Sequence, residues 1–168
     1  MSQNLLAQSI MEKQCARIIN EYRKSRGLTA LTLDTGLTHA ARFHLQYEAL
    51  YDTVAHIQSK PFKGMSLTDP GLRIKYFTKN NNPTYGNEIT TGGSRYIDSI
   101  FIPRVRLEDY IQNLENKVIQ NFKSSPKHND AMLSTKPTKM GICIYTDKIA
   151  EGKGVKIRYF CVITFLAD

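Results

Sequence analysis

The sequence predicts an α+β fold in which a mainly antiparallel sheet carries helices on both faces, a three-layer α-β-α sandwich. Three observations predict it. Several stretches repeat apolar residues at helical spacing, the end of the chain holds two strand-like segments, and strands and helices do not alternate along the sequence. Because a helix with one apolar face must cover a sheet or another helix, a single sheet between helices satisfies every element.

The N-terminal third of the chain predicts two helices. Between Leu6 and Lys24 apolar residues recur on one helical face, and Gly27 stops this helix. After a loop, Asp34 can cap a second helix. Its inward-facing residues are Leu37, Ala41, His44, Leu45 and Glu48. His44 is therefore expected on the packed face, in a structural role.

The middle of the chain predicts a long loop and a short strand. Residues 59–83 are rich in Gly, Pro, Lys and Asn, which indicates a loop with a helical turn near residues 72–77. The segment YGNEITT that follows is typical of a short strand. This strand would carry Glu88.

Two further helices are predicted after that strand. Apolar spacing over residues 107–122 indicates an amphipathic helix, with Glu115 on the flank of its apolar stripe. Ser125 followed by Pro126 signals the start of another helix, since proline is tolerated at the first helical position. His128 then occupies the first turn.

The last segments, MGICIYTD and VKIRYFCVITF, predict a long hairpin because they are rich in β-branched and aromatic residues. Cys143 and Cys161 lie in these two strands, so a cross-strand disulfide is one alternative and two buried free thiols are the other. The three cysteines contain no CxxC pair, which excludes a zinc site of the finger type.

Length and composition predict one domain over residues 1–168. Apolar residues make up 41% and charged residues 23%, which argues against disorder. The longest apolar run, residues 160–167, is too short to span a bilayer. A formal charge of +8 raises the question of anionic partners, but the basic residues are scattered without aromatic alternation, which argues against nucleic acid.

The first residues, MSQNLLAQSIMEK, lack the basic start, apolar stretch and cleavage site of a signal peptide. On this evidence the chain is either cytoplasmic or a mature form whose export signal has been replaced by Met1.

Four segments, in order, resemble the CAP superfamily of cysteine-rich secretory proteins, antigen 5 and pathogenesis-related proteins of class one. The segments are IINEYRKSRGLTALTLDTGLTHAARFH, VAHIQS, YGNEIT and VIQNFKSSPKHNDAMLSTKPTKMGICI. The resemblance is to a single domain of the bacterial type, and it implies an α-β-α sandwich and a secreted, periplasmic or cell-surface location. We expect a monomer.

The resemblance also implies a central cleft lined by two histidines and two glutamates, which in some members binds a divalent metal. By their motifs His56 and His128 match the histidines, and Glu88 resembles the first glutamate. The order Asn87-Glu88 reverses the family's usual order, and a one-residue slip along a strand would turn Glu88 away from the cleft. The second glutamate has no clean counterpart; Glu115 is the physical candidate and Glu108 the weaker one.

Two functions lead on this evidence, and a third, a cell-wall or nucleic-acid binder driven by the net charge of +8, is weaker. The first is a non-enzymatic module that binds a small hydrophobic ligand, a glycan or a host protein in the cleft lined by His56, Glu88, Glu115 and His128. The alternative is a divalent-metal-dependent hydrolase or protease, in which His56 and His128 bind a metal such as zinc and a glutamate is ligand or general base. No cofactor is required by the first function, and no serine nucleophile motif is present.

Overall fold

The computed structural model describes residues 2–98 and 114–168. The described helices are α1 (Ser2–Ser25), α2 (Thr35–Tyr51), α3 (Pro70–Thr78), α4 (Leu114–Ser124) and α5 (Pro126–Leu133). The described strands are β1 (Thr32–Leu33), β2 (Tyr85–Asp98), β3 (Lys139–Glu151) and β4 (Gly154–Ala167). None of the helices in these ranges combines the length and the apolarity that a bilayer span requires.

The four strands form one mixed sheet in the order β1-β3-β4-β2. β4 pairs antiparallel with β3 on one side and with β2 on the other, while the two-residue β1 runs parallel to the start of β3. The predicted α+β class and the mainly antiparallel sheet are therefore confirmed.

Alternation along β4 gives each face of the sheet its own core, because successive side chains of a strand point to opposite faces. Cys161, Ile163 and Phe165 pack in one cluster with α1 and α4. Phe160 and Val162 pack instead with the inward residues of α2. Helices thus cover both faces, as the one-sided apolar stripes predicted.

The same alternation shows that the cross-strand disulfide is wrong. Cys143 lies opposite Val162, whereas Cys161 lies opposite Ile144. Since directly opposed residues share a face, the two cysteines point to opposite sides of the sheet. Both are free and buried in different clusters.

Helix boundaries follow local signals. Asp34 caps α2 as predicted, because its side chain accepts a hydrogen bond from the backbone N–H of Leu37. The predicted turn near residues 72–77 is a nine-residue helix, α3, which Asp69 caps and in which Pro70 takes the first position. Residues 107–113 of the helix predicted over 107–122 lie outside the described residues, and α4 supplies the remainder.

The sheet approaches the backbone of α2 closely at Gly141. A Cβ atom at this position would lie 2.1 Å from the backbone carbon of Leu37 and 2.2 Å from the nitrogen of Thr38. On the neighbouring strand, the hydroxyl of Thr164 donates a hydrogen bond to the carbonyl of Leu37 at 2.9 Å. These contacts fix the start of α2 against the sheet, and with it the position of the residues further along the helix.

Candidate functional site

A buried ion pair between β2 and α3 forms the base of the candidate site. The guanidinium of Arg73 donates to both carboxylate oxygens of Glu88 at 2.9 and 3.0 Å, and both side chains are 0% exposed. The same guanidinium donates to the backbone carbonyls of Leu67, Thr68 and His56. Arg73 therefore ties the loop that follows α2 to the strand that carries Glu88.

His56 stands on this base with its ring reaching solvent. Its Nδ1 lies 3.3 Å from Oε1 of Glu88, while 44% of the side chain is exposed. The hydrogen bond to Glu88 raises the pKa of His56 above its usual value. Glu88 thereby orients the imidazole, and part of the side chain stays exposed to solvent.

His128 faces His56 from the first turn of α5. The two ring centroids are 6.4 Å apart and the ring planes meet at 75°. On its other side His128 packs edge-on against Phe122 at 5.4 Å. Burial and the neighbouring charge of His56 lower the pKa of His128. His56 therefore holds its proton more strongly than an ordinary imidazole does, and His128 holds its proton less strongly.

A second carboxylate, Glu48 of α2, lies beneath the site and was missed as a site residue. It accepts hydrogen bonds from the hydroxyl of Thr90 at 2.8 and 2.9 Å and from the backbone N–H of Ala55 at 3.1 Å. One turn earlier, Nε2 of His44 donates to the carbonyl of Ala55 at 2.6 Å and lies 3.5 Å from Glu48 and 3.6 Å from Glu88. The sequence contained a signal for this buried pair, because His44 and Glu48 are polar residues four positions apart on an otherwise apolar face of α2.

The structure brings three of the four predicted site residues together and places the fourth elsewhere. His56, Glu88 and His128 are neighbours, since β2 presents Glu88 to the side of the sheet that α2 and α3 cover. Glu115 lies beside α1, where its backbone carbonyl accepts a hydrogen bond from the thiol of Cys15. Glu108 lies outside the described residues.

The register of β2 explains why the reversed Asn-Glu order does not turn Glu88 away. β2 and β4 pair without a break, with Asn87 opposite Phe165 and Glu88 opposite Thr164. Phe165 belongs to the core beneath α1 and α4, while the hydroxyl of Thr164 contacts α2. Glu88 therefore shares the α2 face with Thr164, and Asn87 takes the other.

The donor set near the histidines does not match the divalent metal that the resemblance implies. His56 and His128 would supply two imidazole ligands, but a catalytic zinc site takes three protein ligands. Both oxygens of Glu88 already accept hydrogen bonds from Arg73, and Glu48 is held by Thr90. Within residues 2–98 and 114–168 no group of three or more His, Cys, Asp or Glu side chains is arranged to hold a metal ion. The described residues thus do not fit a complete metal site.

Comparison with known proteins identifies one family model that matches most of the chain and several solved structures with a similar fold. The model of the cysteine-rich secretory protein family, CAP, matches residues 16–165. A search of curated proteins gives no significant match. Among solved structures, an outer surface protein from Borrelia burgdorferi is similar with a TM-score of 0.61 and 18% identity, over 94% of this chain and 92% of that one.

Two further solved structures are larger than this chain. An extracellular protein with an SCP domain from Bacillus anthracis matches with a TM-score of 0.63 and 14% identity, over 96% of this chain and 41% of that one. A cysteine-rich secretory protein from Staphylococcus aureus matches with a TM-score of 0.51 and 19% identity, over 96% of this chain and 39% of that one. At these identities the likeness shows a shared fold.

Proposed function

The chain belongs to the cysteine-rich secretory protein (CAP) family, and we propose that it is a secreted or surface-exposed domain that binds a ligand between His56 and His128. The single observation that supports this proposal is the position of the acidic side chains Glu48 and Glu88. Both carboxylates near the histidines are buried and hydrogen-bonded inside the protein, whereas the ring of His56 reaches solvent. The site presents imidazole groups outward and keeps its acids inward.

The position of the carboxylates argues against hydrolysis in which a glutamate is the general base. A carboxylate in that role must reach a water molecule beside the substrate. Glu88 is held by Arg73, and Glu48 is held by Thr90 and the Ala55 backbone. Releasing either carboxylate would leave buried polar groups without partners, which costs free energy.

The ligand that best suits the pair carries hydroxyl or carboxylate groups, as a glycan does. His56 offers a proton donor whose pKa is raised, and His128 offers an imidazole whose pKa is lowered and which accepts a hydrogen bond more readily. Val54 and Ile57, which flank His56 in the sequence, are exposed apolar residues against which a sugar ring can pack. A surface location accords with the similar structures that are described as an outer surface protein and an extracellular protein.

A panel of immobilised neutral and acidic oligosaccharides tests the proposal. The double variant His56→Ala, His128→Ala is compared with the wild type and with His39→Ala, a matched variant at a histidine outside the site that packs beside Phe77. We expect the wild type and His39→Ala to bind the same oligosaccharides and the double variant to lose them. Equal binding by all three proteins, or binding by none, would contradict the proposal.

One observation favours the alternative of a metal-dependent hydrolase. A metal-binding histidine commonly donates its second ring nitrogen to a carboxylate, which is how Glu88 holds His56. Calorimetric titration of zinc into the wild type and the double variant separates the two functions. Equal and negligible heats in both proteins would eliminate the hydrolase, while heat that only the wild type releases would support it.

A further inference from the structure

His44, in the middle of α2, holds the loop that carries His56 from the inside of the protein. Its side chain is 0% exposed. The ring nitrogen Nε2 donates a hydrogen bond to the carbonyl of Ala55 at 2.6 Å, and Nδ1 lies 3.1 Å from the side-chain nitrogen of Gln58. Ala55 comes directly before His56 in the chain, and Gln58 comes two residues after it. One buried imidazole therefore binds the loop on both sides of His56.

The carbonyl of Ala55 decides which nitrogen of His44 carries hydrogen. A carbonyl oxygen can only accept a hydrogen bond, so Nε2 is the donor. Carboxylate oxygens of Glu48 and Glu88 lie 3.5 and 3.6 Å from the same nitrogen, which also favours hydrogen there. Nδ1 is then free to accept from the amide nitrogen of Gln58. The ring needs this one tautomer to bond both parts of the loop at once.

Other groups hold the backbone of this loop at different points. The guanidinium of Arg73 donates to the carbonyl of His56 at 2.8 Å, and the backbone N–H of Gln58 donates to the carbonyl of Thr68 at 2.9 Å. Neither contact involves the Ala55 carbonyl or the Gln58 side chain, which His44 bonds. An apolar residue at position 44 would deprive both of these groups of that partner, which costs free energy for each.

We propose that His44 is a positioning residue that sets where the ring of His56 stands relative to that of His128. It acts through its bonds to Ala55 and Gln58, and because it is buried it does so without touching a ligand. The start of α2 is fixed against the sheet, so a bond from the buried face of this helix passes a fixed position on to the loop. Only the expected effect on affinity rests on the proposed function.

NMR spectroscopy of the protein without ligand tests the geometry. Long-range proton–nitrogen spectra distinguish a ring nitrogen that carries hydrogen from one that does not, and in His44 we expect hydrogen on Nε2 and none on Nδ1. A nuclear Overhauser effect between the ring protons of His56 and His128 reports that the rings are neighbours, since their centroids are 6.4 Å apart. We expect this effect in the wild type and its loss in His44→Leu.

Two more variants separate the two bonds of His44. His44→Gln keeps a donor that can reach the Ala55 carbonyl, so it should retain the Overhauser effect between the rings. Gln58→Met removes the other bond from the loop side with an unbranched side chain and leaves α2 unaltered, so it keeps the test decisive if His44→Leu does not fold. We expect Gln58→Met to weaken the Overhauser effect.

Leu45→Ala is the matched control for a loss of stability alone. Leu45 follows His44 on α2, is 2% exposed and packs in the cluster of Phe160 and Val162. Removing its buried methyl groups should lower the midpoint of urea unfolding. It should leave the Overhauser effect between the histidine rings intact, because both bonds of His44 to the loop are kept.

Oligosaccharide affinity tests whether His44 acts through His56. The probe is the oligosaccharide of the panel that the wild type binds most tightly. We expect His44→Leu to weaken its binding about threefold to tenfold, the range for the loss of one hydrogen bond. In a double-mutant cycle His44→Leu should add little to the loss caused by His56→Ala, because the ring that it positions is already gone. A residue that only stabilised the fold would cause the same loss in both backgrounds.

Failure of the proposed function and failure of this inference give different results. If no oligosaccharide binds the wild type, the proposed function fails, and the NMR experiments alone decide the role of His44. Three results would overturn the inference. They are hydrogen on Nδ1 of His44, an Overhauser effect that His44→Leu and Gln58→Met both leave unchanged, and an Overhauser effect that Leu45→Ala removes as completely as His44→Leu does.

Discussion

Replacing Glu88 by glutamine tests whether the buried Arg73–Glu88 pair holds the site together. Glutamine keeps the shape of the side chain but removes the negative charge, which leaves the guanidinium of Arg73 buried without the carboxylate to which it is bonded. Both side chains are 0% exposed, and two hydrogen bonds of 2.9 and 3.0 Å join them. Removing one member of such a pair typically costs about 3–5 kcal/mol.

That cost is large against the whole stability of a domain, about 5–15 kcal/mol. For a chain of this size each kcal/mol lowers the melting temperature by about 2–4 °C, so Glu88→Gln should melt roughly 10 °C below the wild type. The loss in unfolding free energy is measured by urea denaturation followed by far-ultraviolet circular dichroism. The midpoint should fall while the slope m stays unchanged, because the variant exposes the same surface on unfolding.

Glu151→Gln is the matched control, since it removes the same charge from an exposed position at the end of β3. It should change the unfolding free energy by less than about 0.5 kcal/mol. A double-mutant cycle with Arg73→Met measures the coupling directly, and the double variant should lose less than the sum of the two single losses. If Glu88→Gln costs less than about 1 kcal/mol, the pair does not hold His56 in place and the reasoning about the site fails.

Three further predictions follow from burial and close packing. Gly141→Ala should lower the unfolding free energy by about 3 kcal/mol or more, because its Cβ would overlap the backbone of α2. Gly86→Ala is the control, since its Cβ would meet Ile74 Cδ1 at 3.6 Å, an ordinary contact distance. It should cost much less in the same urea experiment. In an NMR titration the imidazole of His56 should titrate above about pH 6.5 and that of His128 below it; the opposite order would refute the assignment. All three cysteines should resist a thiol reagent at about pH 8 in the native protein and react in guanidinium, since all are buried and have raised pKa values.

The two histidine shifts give stability contributions of opposite sign with pH. The folded-state pKa of His56 is raised, so the stability that its protonation contributes is complete below about pH 6.5 and is lost as pH rises through the folded-state pKa. The folded-state pKa of His128 is lowered, so protonation of this residue costs stability as pH falls below about 6.5. Unfolding experiments on the single variants His56→Ala and His128→Ala should show these two dependences separately.

Local signals predicted the elements well, because they act within one turn or one strand. Asp34, for example, caps α2 as predicted, because its side chain bonds the backbone of its own neighbour Leu37. The disulfide alternative failed for a different reason: whether two cysteines face each other depends on the register of β3 and β4, which a single-residue offset reverses. No local feature of Cys143 or Cys161 carries that information.

The sequence predicted only those residues of the candidate site that belong to a short motif. His56 and His128 were found by motif, but Glu115 was placed by its position on an amphipathic helix, which does not say which neighbour that side of the helix meets. Glu48 was visible as a polar residue on an apolar helix face, and such a residue must be paired when buried. Identifying its partners, Thr90 and the Ala55 backbone, required the packing of α2 on β2.

The balance of buried charge connects the fold to the proposed binding function. Beneath the cleft lie two carboxylates, Glu48 and Glu88, and one guanidinium, that of Arg73. Both carboxylates raise the pKa of His56, and the Arg73 charge only partly opposes them. Because the acids are buried and the ring of His56 reaches solvent, the network favours the protonated form of the imidazole at the point where the proposed ligand would enter. In the proposed function, His56 would therefore donate a hydrogen bond to an oxygen atom of the ligand.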